Sequence, residues 1–237
     1  MTGDVWLVMP SAGRGARFGG EVPKQYLSIG GELLIGLALD AVLGHPDVRG
    51  AVVALARDDA RWPGWTQRAG KPVLTCVGGG ERAESVLAAL RSLPAEASDA
   101  LVLVHDAARP NLTARDVARL IEAARASDDG AILAAPVRDT LKRVAGAVDQ
   151  PAIACTEPRE KLWRAFTPQA FRAPALRAAL ESALAAGTMV TDEAMAMELA
   201  GFHPRLVEGR EDNIKVTTPA DLALVDTLLS QRRAHEE

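Results

Sequence analysis

Cysteine is nearly absent from this chain of 237 residues: Cys76 and Cys155 are the two it has. A pair so far apart builds neither a disulfide framework nor a cysteine-based metal centre, and it suits a reduced, cytoplasmic setting. Histidine is almost as scarce. His45, His105, His203 and His235 stand singly and form no ligand cluster. No Ser–His–Asp or Cys–His arrangement suggests a covalent nucleophile. Neither sign of charge dominates, with 27 Lys and Arg against 31 Asp and Glu and a formal net charge of −4. That balance excludes a bulk electrostatic grip on nucleic acid or on an anionic membrane, so any anion binding must be local. No apolar run approaches the ~20 residues of a membrane span. The start, with Asp4 and a short apolar run before Pro10, is unlike a signal peptide.

What is present is a large apolar fraction, 48%, enough for a substantial core in one domain spanning residues 1–237. "VWLVM" (5–9), "GAVVALA" (50–56), "PVLTCV" (72–77), "ALVLVH" (100–105) and "AILAAPV" (131–137) read as strands. Between them, helical spacing covers 31–45, 81–93 and 113–127, the last with Thr113 as N-cap. The strands are continuous apolar runs. Alternation of such strands with helices predicts an α/β fold, a mostly parallel twisted sheet with helices on both faces. Residues 138–157 break the rhythm: two short β-like pieces flank a Gly/Asp/Gln/Pro turn, an antiparallel hairpin leaving the sheet. A lone hairpin is marginal in water, so a second copy of the chain is the expected partner of this arm. Further helices are expected near 174–187, near 192–200 and from about Pro219, with a strand near 205–208. Nothing regular is assigned to 158–173.

The first strand runs into "PSAGRGARFGGEVPKQY" (10–26). Ligands of open α/β sheets bind beyond the carboxyl ends of the strands, where this loop lies. Gly13 and Gly15 let backbone N–H groups approach an anion closely. Arg14, Arg17 and Lys24 add positive charge, so a polyphosphate is the natural guest. Two familiar motifs fail on spacing. Lys24 is not preceded by glycine, as a P-loop requires, and Phe18 stands where a dinucleotide fingerprint needs glycine. A solvated surface loop is the plainer alternative.

The loop resembles the signature of nucleotide-sugar-type nucleotidyltransferases, and its "PKQY" ending is similar to cytidylyltransferases acting on polyol phosphates. "GGGERAESV" (78–86), "VHDAARP" (104–110), "APVRDTLKR" (135–143), "TPQAF" (167–171), "TDEAMAMELAG" (191–201) and "VEGREDNIKVT" (207–217) follow in the same order. Together these resemble the 2-C-methyl-D-erythritol 4-phosphate cytidylyltransferase family of non-mevalonate isoprenoid biosynthesis. The resemblance implies a Rossmann-like fold of the nucleotide-diphospho-sugar transferase type and transfer of a cytidylyl group from CTP, with Mg²⁺ as cofactor. The hairpin arm at about 138–157, too slight to stand alone, is expected to clasp its copy in a homodimer.

Site residues follow from the same resemblance. Ser11, Ala12, Gly13 and Gly15 are expected to wrap the triphosphate. Arg17 is expected to hold its outer phosphates, and Lys24 to sit at the α-phosphate. Gly79, Gly80, Arg82 and Ser85 are expected around the cytosine, with glycine at 80 where the family pattern leads one to expect an acid. Asp106 is the candidate for Mg²⁺ or for ordering substrate, and a buried Asp–Arg pair shaping the turn is the structural alternative. Arg17, Lys24 and Asp106 form the expected catalytic set. Asp106, Arg109, Thr140, Arg159, Thr167, Thr191 and Lys215 are expected on the polyol phosphate. Thr191 reads equally well as a helix N-cap. Ribitol 5-phosphate cytidylyltransferases share the "PKQ" loop, and a non-catalytic nucleotide-binding regulator on the same fold is the rival from another class.

Overall fold

The structure, a computed structural model, describes residues 5–13, 22–146 and 151–236. The chain runs β1 (Val5–Pro10), β2 (Ser28–Ile29), β3 (Glu32–Leu33), α1 (Leu34–Leu43), β4 (Val48–Leu55), β5 (Gln67–Arg68), β6 (Lys71–Val77), α2 (Arg82–Arg91), β7 (Leu101–Val104) and α3 (Ala114–Arg125). It continues through β8 (Ala131–Pro136), β9 (Leu141–Ala145), β10 (Ala152–Glu157), β11 (Trp163–Arg172), α4 (Ala173–Ala185), α5 (Glu193–Leu199), β12 (Arg205–Glu208) and α6 (Pro219–Glu236). Eight strands form one sheet in the order β12-β8-β11-β7-β1-β4-β6-β5.

Pairing is parallel between β12 and β8, between β7 and β1, and from β1 through β4 to β6. The runs of β1, β4, β7 and β8 are buried almost throughout because helices cover both faces, whereas β6 is largely exposed, with Leu74 and Val77 open to solvent. Successive side chains of β1 go to opposite layers. Val5, Leu7 and Met9 join a core with Leu39 of α1 and Leu120 of α3, whereas Trp6 and Val8 join one with Val86 of α2 and Leu180 of α4. The helix expected at 31–45 begins only at Leu34, because the tight β2–β3 turn, with both Gly30 and Gly31 at positive φ, takes its first residues.

The stretch to which no element was assigned holds the main correction. Residues 163–172 form β11, a ten-residue strand in the middle of the sheet, antiparallel to both β7 and β8. It carries Pro168, a residue that argues against a central strand. The structure accommodates it at a register shift between Ala165 and Gln169, where the ladder with β8 is interrupted. The arm is present as expected: β9 and β10 pair antiparallel with every residue of β9 exposed. Leu141, Val144 and Ile153 are exposed there.

Gly130, at the entrance to β8, has φ +78°. A Cβ there would lie 2.3 Å from the Phe171 ring and 2.5 Å from the Ala170 carbonyl. Left-handed backbone and overpacking act together, so Gly130→Ala should cost about 2–4 kcal/mol. The urea midpoint should fall at constant m-value. A midpoint equal to that of the unsubstituted protein would show that β11 yields without cost.

Candidate active site

Three strand ends meet at one cleft. Pro10 leads into Ser11–Gly13, Val77 into Gly78–Gly80, and Val104 into His105–Arg109. Parts of these turns, with Lys24, Gln25, Arg82, Ser85 and Lys215, line a cleft of about 190 Å³ that opens to solvent.

Local chemistry sets each loop. The buried Gln25 amide donates to the carbonyls of Ser11 (2.9 Å) and Gly13 (3.1 Å), and the Ser11 N–H donates to the Ala54 carbonyl at 2.8 Å, which together fix the course of the loop. Lys24 follows Pro23 in a single 3-10 turn, and its Nζ donates to the Val216 carbonyl at 3.3 Å. Gly78 is needed for close approach: a Cβ there would lie 2.7 Å from that of Ala12 and 2.8 Å from Ser85 Oγ. Ser85 Oγ accepts the Gly79 N–H at 3.1 Å. Position 80 differs, since its nearest neighbour would be Glu84 Oε2 at 3.6 Å, so a side chain would fit. Glu84 is instead engaged with the Glu81 N–H at the start of α2.

Asp106 is the electrostatic centre. Lys215 Nζ lies 2.8 Å from its carboxylate, Arg82 3.1 Å and Arg109 3.6 Å. Burial alone would raise the carboxyl pKa; Arg82, Lys215 and Arg109 outweigh it and hold it well below the usual range, so Asp106 is ionised. Arg82 also bonds Glu193, which is buried in the first turn of α5. Burial raises the Glu193 pKa against the pull of Arg82. Among the described residues Glu193 Oε2 and Ser11 Oγ have no hydrogen-bond partner. Arg82, Arg109 and Lys215 thus gather around the Asp106 and Glu193 carboxylates, and Lys24 lines the same cleft.

Of the residues expected on CTP, Ser11, Ala12, Gly13, Lys24, Gly79, Gly80, Arg82 and Ser85 line the cleft; Gly15 and Arg17 lie outside the described residues. Of those expected on the polyol phosphate, Asp106 and Lys215 line it. Arg109 stands behind Asp106 and donates to the Asn213 carbonyl at 2.6 Å. Thr167 is buried, its Oγ1 3.0 Å from the Asp106 amide nitrogen. Thr140 and Arg159 are not brought to the cleft: both are exposed at the foot of the arm, where Arg159 bonds the Arg138 carbonyl. Thr191 is exposed as well and is not the cap of α5. Asp192 takes that role, accepting the Met195 N–H at 3.0 Å. Gln25 and Glu193 were not singled out from sequence. The "PKQY" and "TDEA" motifs contain them, but their work is to bind other protein groups, which no motif displays.

The family model described as IspD, 2-C-methyl-D-erythritol 4-phosphate cytidylyltransferase, matches residues 5–231. The 2-C-methyl-D-erythritol 4-phosphate cytidylyltransferase of Stenotrophomonas maltophilia strain R551-3 is 60% identical over 98% of this chain and 99% of its own. That of Xanthomonas campestris pv. campestris strain 8004 is 60% identical over 98% of this chain and 87% of its own. Among solved structures, the 2-C-methyl-D-erythritol 4-phosphate cytidylyltransferase of Francisella tularensis aligns with a TM-score of 0.79 at 30% identity, covering 95% of this chain and 99% of that one.

His105 supplies a pH signature. It is fully buried, and burial lowers its pKa from 6.5 to about 4. The unfolded chain therefore binds this proton more readily. Stability is complete above about pH 6.5 and declines as pH falls toward about 4, by at most about 3 kcal/mol at roughly 1.4 kcal/mol per unit. Urea unfolding between pH 7 and pH 4.5 should show this slope, and His105→Gln should flatten it. An equally steep slope in the variant would assign the loss to other groups.

Proposed function

This chain belongs to the 2-C-methyl-D-erythritol 4-phosphate cytidylyltransferase family, nucleotidyltransferases of isoprenoid biosynthesis, and we propose that its cleft joins CTP to 2-C-methyl-D-erythritol 4-phosphate. The observation that carries this reading is the meeting of Lys24, Arg82 and Lys215 in one cleft with the bare backbone of Ser11–Gly13 and Gly79–Gly80. A phosphate oxygen of the substrate attacks the α-phosphorus of CTP. A P–O bond forms, the bond to the bridging oxygen breaks, and pyrophosphate leaves with the electron pair. The protein needs no covalent intermediate; its contribution is position and charge. Gln25 keeps the first glycine loop shaped for the triphosphate. Lys24 faces the charge that changes at the α-phosphate, and Lys215 meets the attacking phosphate. Gly79, Gly80 and Ser85 take the cytosine.

Asp106 fits Mg²⁺ in one way. It is an ionised carboxylate on the cleft, and Mg²⁺ in nucleotide sites takes one or two carboxylates with phosphate oxygens for the rest. Among the described residues no group of three acids, histidines or cysteines gathers to hold a metal. The cation would then ride on the triphosphate with Asp106 as the residue that would hold it, and it would neutralise phosphate charge.

The arm supports a homodimer. Its exposed Leu141, Val144 and Ile153 suit a two-fold clasp with the same hairpin. Arg159 then reaches the neighbouring cleft, which accounts for its absence from the cleft of its own chain. No helix among the described residues is long and apolar enough to cross a membrane, and both cysteines are free. We place the reaction in the cytoplasm.

Pyrophosphate release from CTP tests the assignment, with 2-C-methyl-D-erythritol 4-phosphate and ribitol 5-phosphate offered in turn. Release with the first and little with the second is expected. Lys24→Ala should lower kcat by ~10²–10³ while CTP still binds, the scale of lost electrostatic stabilisation. Near-normal turnover would remove Lys24 from the chemistry.

Subunit mixing tests the shared site. Lys24→Ala disables the cleft of its own chain and Arg159→Ala the neighbouring one, so a mixed dimer keeps one intact site. With half the dimers mixed, activity should recover to about a quarter of the unsubstituted level under two-fold pairing. Confirmed subunit exchange without recovery would confine Arg159 to its own chain.

A further inference from the structure

We infer that His105 and Thr167 form a directed hydrogen-bond relay that positions Asp106. The inference rests on the function proposed above for the meaning of its kinetics, but its geometry stands apart from it. Both ring nitrogens of the buried His105 are engaged: Nε2 lies 3.0 Å from the Arg109 carbonyl and Nδ1 3.0 Å from Thr167 Oγ1. A carbonyl oxygen can only accept, so Nε2 carries the hydrogen. In a neutral imidazole Nδ1 is then bare and must accept. The single hydroxyl hydrogen of Thr167 points at it. The same oxygen accepts the Asp106 N–H at 3.0 Å.

Every donor in the chain is thereby committed in one direction, from Thr167 to His105 and from His105 to Arg109. The Arg109 N–H closes the turn on the Asp106 carbonyl at 3.0 Å. Asp106 is held on both sides of its peptide unit as the chain leaves β7, and its carboxylate is delivered between Arg82 and Lys215. Thr167 is therefore a positioning residue.

The test combines imidazole ¹⁵N NMR at pH 7 with steady-state kinetics on Thr167→Ser and Thr167→Val. In the unsubstituted protein and in Thr167→Ser, His105 should be protonated at Nε2 with a hydrogen-bonded, bare Nδ1. In Thr167→Val the bond at Nδ1 should vanish. Thr167→Val should lower kcat by about 10–100-fold, the usual loss for an outer positioning partner, with little change in the KM for the polyol phosphate. Thr167→Ser should restore kcat. An Nδ1-protonated ring would overturn the relay. So would Thr167→Val with unchanged kcat, whether or not its KM for the polyol phosphate rises. Should Thr167→Val fail to fold, the tautomer and the Thr167→Ser kinetics still decide. If the unsubstituted protein releases no pyrophosphate with the polyol phosphate, the functional reading fails while the NMR result stands.

Discussion

One buried carboxylate holds this site together. Asp106 draws in Arg82 from the start of α2, Lys215 from the stretch before α6 and Arg109 from its own turn. An ion taken out of water is costly unless it is paired, and breaking a buried pair costs more than the pair returns. The three cations repel one another as well, so each is tolerated in the cleft because Asp106 is ionised. Arg82, Asp106 and Lys215 are separated widely along the chain, and this shared charge makes them a single unit. An arriving triphosphate meets cations already gathered, so much of the cost of assembling them has been met in folding.

The structure supports that carboxylate through β11. Thr167 meets the Asp106 amide, and the Thr167 carbonyl accepts from Asn213, whose own carbonyl takes Arg109. Two residues on, Gln169 bonds both Asp192 and the Ala194 N–H, which sets the start of α5 and with it Glu193. A strand reversed among parallel neighbours brings its mid-portion to the edge where they end. The motif segments from 104, 167, 191 and 213 therefore converge on one side of one strand.

Legibility in the sequence followed burial. β1, β4, β7 and β8 are covered on both faces, so their residues are almost uniformly apolar and announce themselves. β11 is different: Trp163–Ala165 are exposed, Phe166–Phe171 are buried, and the buried part includes Thr167, Pro168 and Gln169. Its polar residues are inside because they bond to loops distant in sequence, which no local pattern records. The cleft was legible in its glycines and cations, since bare backbone and charge are what a phosphate demands. Gln25 and Glu193 act on protein partners and were silent for that reason. Thr140 and Arg159 are exposed at the foot of the arm, away from the cleft of the described chain, a separation that no local pattern records.

The placement of β11 also orders events in time. Synthesis delivers β1, β4, β6 and β7 with their helices first, a run of parallel pairs able to condense as it emerges. β8 cannot join them directly, because the slot beside β7 belongs to a strand made later. Until residue 172 has left the ribosome, β7 and β8 each present an open edge of unpaired amides and carbonyls. The hairpin arm, encoded between β8 and β11, is exposed during that interval with its apolar residues uncovered. A nascent chain therefore carries exposed apolar side chains on the arm before its sheet is closed, and the reversed strand ends that vulnerable period.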